Sequence, residues 1–320
     1  MASSRELKTK IGAVRNIRQI TKAMQMVAAT KMRKAQESAL NARPYAKKSL
    51  SLLNNLLQYS QAEGVSGKYW KAGATGVVAL VVVTSDKGLA GSFNSAVLRM
   101  AAKWREEQES AQGGAKKVEI VAVGKKGRDF FKTRGGEIAA EFFQFSDIVK
   151  LGDVTPLMDW LEEAWQQGNY EKIIFCSTQF VSALVQKPEI SQLLPLQREE
   201  LEKTIESIVP KTGKYAEIES SHFAEASRDK NETISFILEP SAKDILEQLV
   251  RDLVRVTIVH LIFESNASEH SARMVAMKNA TENAEDLIEE LNLKLNKSRQ
   301  AAITQELTEI ATAKEALTSE

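Results

Sequence analysis

Two glycine-bearing stretches carry residue types that cradle phosphate in other proteins. In VVVTSDKGLAGSFNS (81–95), Gly88 and Gly91 lie between an apolar run and a helical one, where a helix N-terminus would face an anion. The spacing is neither G-x-G-x-x-G nor G-x-x-x-x-G-K-[ST], and no convincing acidic ribose partner follows, so the stretch reads as a tight strand-to-helix turn. Asp86 and Lys87 are then turn residues or partner contacts. VGKKGRDFF (123–131) reads the same way. Cys176, the one cysteine, sits in KIIFCSTQF with no base to activate it, which predicts a buried, small apolar role. His260 and His270 lack the i, i+4 spacing of a metal-ligand pair, and His222 alone adds little toward structural zinc. Asp147, Asp153 and Asp159 have no spacing that marks a general acid/base pair. The sequence therefore predicts no catalytic residue, no cofactor and no metal.

Two methionine-rich stretches are more informative. KAMQMVAATKMRKAQ (22–36) and ARMVAMKNATENAED (272–286) mix unbranched Met with many Ala, which lets helices approach closely and keeps the surface adaptable. Periodicity alone makes them ordinary coiled-coil core. The functional reading is a helix that must meet several non-identical surfaces.

The elements that would carry these residues follow from where the helix breakers fall. All 16 Gly lie between Gly12 and Gly213, and all 6 Pro between Pro44 and Pro240. Residues 1–43 and 241–320 are thus nearly free of breakers, as long helices require. An 80-residue segment would reach roughly 120 Å if wholly helical, so an elongated molecule is expected. Apolar positions step by three and four through Leu246, Leu249, Leu253, Val256, His260, Phe263, Ala267, Met274, Met277, Ile288, Leu291 and Leu295, a coiled-coil seam. The seam slips at Ile303, Leu307 and Ile310, so the tip is expected to run as a single helix. Leu7, Ile11, Val14, Ile17, Ile20, Met24 and Val27 can supply an antiparallel partner.

Charge supports that pairing. Residues 1–50 hold twelve Lys/Arg against two Glu, whereas residues 241–320 hold nine against fourteen Asp/Glu. Opposite signs favour docking, but exposed pairs are each worth only ~0–1 kcal/mol, so the apolar seam must supply most of the stability. The basic surface exceeds what the C-terminal helix can neutralise, and a further acidic partner is expected. Over the whole chain 43 Lys+Arg balance 42 Asp+Glu, which gives no reason to expect polyanion binding. The longest apolar run, Val77–Val83, is far short of the ~20 residues of a membrane span. No secretory signal is recognisable at the N-terminus.

The middle alternates β-branched runs at 76–84, 117–124 and 172–180 with helical stretches at 93–110 and 155–168, the pattern of a parallel sheet. The expected fold is α/β with long terminal helices: an antiparallel coiled coil plus a central Rossmann-like domain. The expected segments are 1–60, the N-terminal coiled-coil helix; 75–210, the α/β domain; 211–239, a flexible connection; and 240–320, the C-terminal helix. Residues 197–235 read as a polar excursion.

ITKAMQMVAATKMRKAQ (20–36) with RPYA (43–46), and SARMVAMKNATENAEDLI (271–288) continuing to RQAAITQELTEI (299–310), closely resemble the terminal helices of the γ subunit of rotary F-type ATP synthases. TSDKGLAGSFN (84–94) and ISQLLPL (190–196) resemble segments of that family's central domain. The resemblance implies a non-catalytic rotor stalk whose coil turns inside a ring of α and β subunits, with catalysis on β. It also implies contacts with the ε subunit and the membrane c-ring. Carried over by motif, Arg299, Gln300 and Thr304 would contact the β loops that grip the upper shaft, and Met24 would lie near a β lever. Lys22, Lys31, Arg33 and Lys34 would face acidic segments of β. The absence of a transit peptide implies a bacterial chain, peripheral on the cytoplasmic face of the cell membrane, and the absence of a paired-cysteine insert puts thiol regulation out of reach. The competing classes are a Rossmann-like nucleotide-binding enzyme with helical oligomerisation arms, which lacks a phosphate loop, and a basic coiled-coil protein for nucleic acid or membrane. Residues 1–43 contain no aromatic side chain on which bases would stack.

Overall fold

The computed structural model describes residues 4–60, 68–110, 116–196 and 242–318. The expected connection at 211–239 and the whole polar excursion at 197–235 lie outside these. The elements run α1 (Ser4–Ser60), a short 3-10 turn (Lys68–Trp70), β1 (Val77–Val83), α2 (Phe93–Glu109), β2 (Lys117–Val123), α3 (Lys125–Thr133), β3 (Ile138–Phe142), α4 (Leu151–Gln166), β4 (Lys172–Phe180), β5 (Gln186–Leu194) and α5 (Ala242–Thr318). The chain divides into two compact units, residues 1–29 with 273–320, and residues 30–272, so each long helix contributes to both.

In the larger unit five strands form one sheet in the order β3-β2-β1-β4-β5. β1 pairs parallel with β2 and β4, and β2 with β3. β5 runs antiparallel to β4. The three runs expected from sequence are the three central strands. The two edge strands were not anticipated, because β3 is short, with two Ala and a Glu, and β5 mixes polar residues with a proline. Its Pro188 is tolerated at an edge, where no further strand needs the missing N–H.

β1 reads VVALVVV because a central parallel strand is covered on both faces. Its alternate residues divide between two cores. Val78, Leu80 and Val82 pack with Val97, Leu98 and Ala101 of α2 and Phe131 of α3. Ala79, Val81 and Val83 pack with Val154, Leu157 and Leu161 of α4 and with Leu253, Ile258 and Ile262 of α5. The first part of α5 is therefore a layer on the sheet, and its apolar surface is broader than the seam expected there.

In the smaller unit the two helices pair antiparallel. Leu7 and Ile11 cluster with Leu291, while Thr21 meets Thr281, so rising numbers on α1 meet falling numbers on α5. The buried series on α5 is Met277, Thr281, Ala284, Ile288 and Leu291, alternating fours and threes as a coiled coil demands. On α1 the seam is Leu7, Ile11, Val14, Thr21 and Ala28, with Ile17, Ile20 and Val27 exposed. This corrects the expected N-terminal series. A step of three residues turns a helix through only about 300°, so the successive threes from Val14 to Ile20 carry the stripe off the seam. Beyond Ser298 every residue to Thr312 is exposed, although the helix continues. The seam ends where the sequence reading placed its slip.

Candidate functional site

The strand-end turn after β1 is held by its own polar groups. The Ser85 N–H donates to Asn94 Oδ1 at 3.0 Å, and the Asn94 amide donates to Ser85 Oγ at 2.8 Å. Leu89 and Gly91 adopt positive φ, which completes a tight reversal into α2. The Thr84 hydroxyl donates to the Val123 carbonyl at 2.9 Å and accepts the Gly127 N–H at 2.8 Å. Gly124, with φ of 92°, passes so close that a Cβ would stand 2.2 Å from the Thr84 carbonyl oxygen. The Asp86 carboxylate accepts the Lys125 N–H at 2.9 Å and the Gln144 N–H at 2.7 Å. It thus occupies the N-terminus of α3, where an anionic ligand would otherwise be drawn.

Asp147, whose spacing marked no acid/base pair, collects partners from three elements. Asp147 Oδ2 lies 2.6 Å from Lys31 Nζ on α1, and Oδ1 lies 2.8 Å from Lys87 Nζ in the strand-end turn. Its carbonyl oxygen accepts from His270 Nε2 on α5 at 2.6 Å. Hydrogen bonds from Lys31, then Lys87, hold this carboxyl well below the usual carboxylate range. Both pairs therefore persist at neutral pH; because the folded value is lowered, their contribution is lost only as acid protonates the carboxylate. Beside them a cavity of about 70 Å³ is lined by Thr84, Asp86, Phe145, Ser265, Asn266 and His270, among others. Nothing in the spacing of Lys31, Asp147 and His270 announced this meeting, because 116 and 123 residues separate Asp147 from its two helix partners.

Lys22, Arg33 and Lys34 are exposed on α1, and Met24 is half-buried. Lys31, expected to face a partner, is held by Asp147. Arg299, Gln300 and Thr304 are exposed on α5, where the Thr304 hydroxyl donates to the Gln300 carbonyl at 2.9 Å. From Thr281 to Arg299 the helix rises by about 27 Å. Thr281 faces Thr21, so Met24 and the Arg299 group mark two separate levels of the coil rather than one cluster. Cys176 is buried, with Sγ 3.6 Å from the Val97 carbonyl oxygen, and burial pushes the thiol up to about 12. His260 is also buried, with Nε2 3.4 Å from Glu264 Oε2. Among the described residues no group of three or more His, Cys, Asp or Glu could hold a metal ion.

An ATP synthase family model matches residues 3–317. The chain is 37% identical over 310 residues to the ATP synthase gamma chain of Pelotomaculum thermopropionicum, covering 97% of each. It is 37% identical over 320 residues to that of Chloroflexus aurantiacus, covering all of both. The chain belongs to the ATP synthase gamma-chain family. Its fold is also that of a rotor chain of Euglena gracilis mitochondrial ATP synthase, at TM-score 0.57 and 17% identity over 94% of this chain and 98% of that one. A chain of the OSCP/F1/c-ring assembly of the same organism gives 0.58 and 19% over 98% and 94%. The two helices of the gamma-chain coil and the sheet between them in sequence are thus all within the family match.

Proposed function

We propose that the chain is the central rotor stalk of an F-type ATP synthase, coupling ion flow through the membrane ring to sequential conformational change at the catalytic β subunits. The observation that carries this reading is the likeness to ATP synthase gamma chains from end to end. The coil adds physical support. Ile17, Ile20 and Val27 on α1 form an apolar stripe outside the seam, and Ile303, Leu307 and Ile310 continue on α5 past the last buried position. Apolar rows left uncovered within a chain suit a shaft that turns inside a sleeve of other subunits.

In this reading α and β form the sleeve, while ε and the c-ring meet the opposite end. ATP chemistry belongs to β, and this chain is non-catalytic. Arg299, Gln300 and Thr304 contact β loops at the upper level, with Met24 near a β lever and Lys22, Arg33 and Lys34 facing acidic β segments lower down. Lys31 joins them only by exchanging Asp147 for a partner carboxylate. No described helix is long and apolar enough to cross a membrane. In this reading the complex holds the chain at the cytoplasmic face of a bacterial membrane.

The test is ATP hydrolysis by co-expressed α and β subunits with and without this chain. Stable complexes and strong hydrolysis only when all three are present support the rotor. A chain that neither joins the ring nor changes turnover refutes it. Within an assembled enzyme, Arg299→Ala removes exposed contacts worth at most ~1 kcal/mol, so it weakens ATP-driven ion pumping while assembly survives.

A further inference from the structure

We infer that Asp147 is a positioning residue that, within the larger unit, fastens both long helices to the strand-end loops, and that this joint governs how closely ion uptake keeps step with ATP hydrolysis. The inference rests on the rotor reading. Its geometry is the three-way meeting on one residue: carboxylate to Lys31 of α1 at 2.6 Å, carboxylate to Lys87 of the β1–α2 turn at 2.8 Å, and carbonyl to His270 of α5 at 2.6 Å. The loop bearing Asp147 is itself pinned, because the Gln144 N–H donates to Asp86, which also accepts the Lys125 N–H at the start of α3. Polar contacts therefore run without a break from the strand ends, through Asp86 and the loop, to both helices. Energetic coupling is carried by contiguous contacts of this kind.

The three bonds differ in character. His270 is 2% exposed, so its bond to the carbonyl lies in a low dielectric and is costly to break. The side chains of Lys31, Asp147 and Lys87 are 27%, 46% and 70% exposed. Such pairs add little to stability. They do fix direction: one carboxylate between two ammonium groups resists displacement of α1 toward or away from the turn. Asp147 thus holds position without being needed for folding.

The test uses the complete enzyme in membrane vesicles, reading ATP hydrolysis and ATP-driven ion uptake together. Asp147→Asn keeps the shape and the carbonyl bond to His270 but removes the charge. Uptake per ATP hydrolysed is expected to fall about two- to fivefold, the factor that a few tenths to 1 kcal/mol of lost pairing represents. Assembly and uncoupled hydrolysis should remain. Asp147→Glu should restore most of the ratio. At the buried contact, His270→Gln retains a donor for the carbonyl and should outperform His270→Leu. An unchanged ratio in Asp147→Asn overturns the inference, as does a fall in uptake and hydrolysis by the same factor, which is what mere instability produces. A wild-type chain that supports no coupled uptake at all would sink the rotor reading, and the joint with it.

Discussion

The two units bury apolar side chains in different ways. In the larger unit the sheet is sealed on both faces, and Leu80, Ile120, Ile173 and Phe175 have no exposed surface. In the smaller unit a single narrow seam holds two helices, and Ile20, Leu293 and Leu307 are each 60% exposed or more. One region buries its apolar residues, while the other carries apolar residues that the described residues leave exposed. The difference separates residues that folding buries from residues that it leaves exposed, and it also orders the expected sizes of effects.

The largest effect should come from the sealed region. Phe175→Ala empties a fully buried site in β4 and should cost about 3–5 kcal/mol, read as a fall in the denaturant midpoint of the free chain. A cost below 1 kcal/mol would mean that the sheet is looser than its burial indicates. The coil should respond less and locally. Ile11→Ala removes a seam residue that is 5% exposed, with an expected cost of about 2 kcal/mol confined to amide exchange in residues 4–29 and 273–298. Equal exchange gains in the β1 amides would show that the two units open together.

A smaller effect attaches to the polar step in the seam. The Thr281 hydroxyl donates to Thr21 Oγ1 at 2.8 Å, and the Thr21 hydroxyl donates to the Arg18 carbonyl at 3.0 Å. The Met277 carbonyl, also 2.8 Å from Thr281 Oγ1, offers that hydroxyl a second acceptor, so Thr21→Val alone should cost no more than ~1 kcal/mol, and Thr21→Val with Thr281→Val should be near neutral. If the double variant lost as much as the sum of the singles, the pair would not interact. Such a pair also fixes register, because sliding either helix would bury a hydroxyl against an aliphatic neighbour.

Much of the sealed region was legible in the sequence, since continuous β-branched runs declare buried parallel strands. The coil was legible as a period but not as a face. Ile17, Ile20 and Val27 carry the same apolar signal as Leu7 and Ile11, and only the geometry of successive three-residue steps separates exposed residues from seam residues. The candidate contacts at Arg299, Gln300 and Thr304 came from motif resemblance, and their exposure follows from the seam ending at Ser298. Asp147 was not legible at all. Its role depends on a loop, a turn and two helices converging, and none of these leaves a local pattern.

The smallest effect on the free chain should come from the uncovered tip, and there the contrast between the regions is sharpest. Ile303→Ser, Leu307→Ser and Ile310→Ser each replace a side chain that is exposed among the described residues. Stability of the free chain should change by no more than about 0.5 kcal/mol per site, since nothing is unpacked. If the stripe exists for association, the triple variant should nonetheless recruit α and β subunits poorly and restore little hydrolysis, while its denaturant midpoint stays where it was. A triple variant that assembles and hydrolyses as the parent does would mean that the stripe is only exposed surface. The sealed sheet cannot supply such a dissociation, because there any loss of apolar surface is felt first in folding.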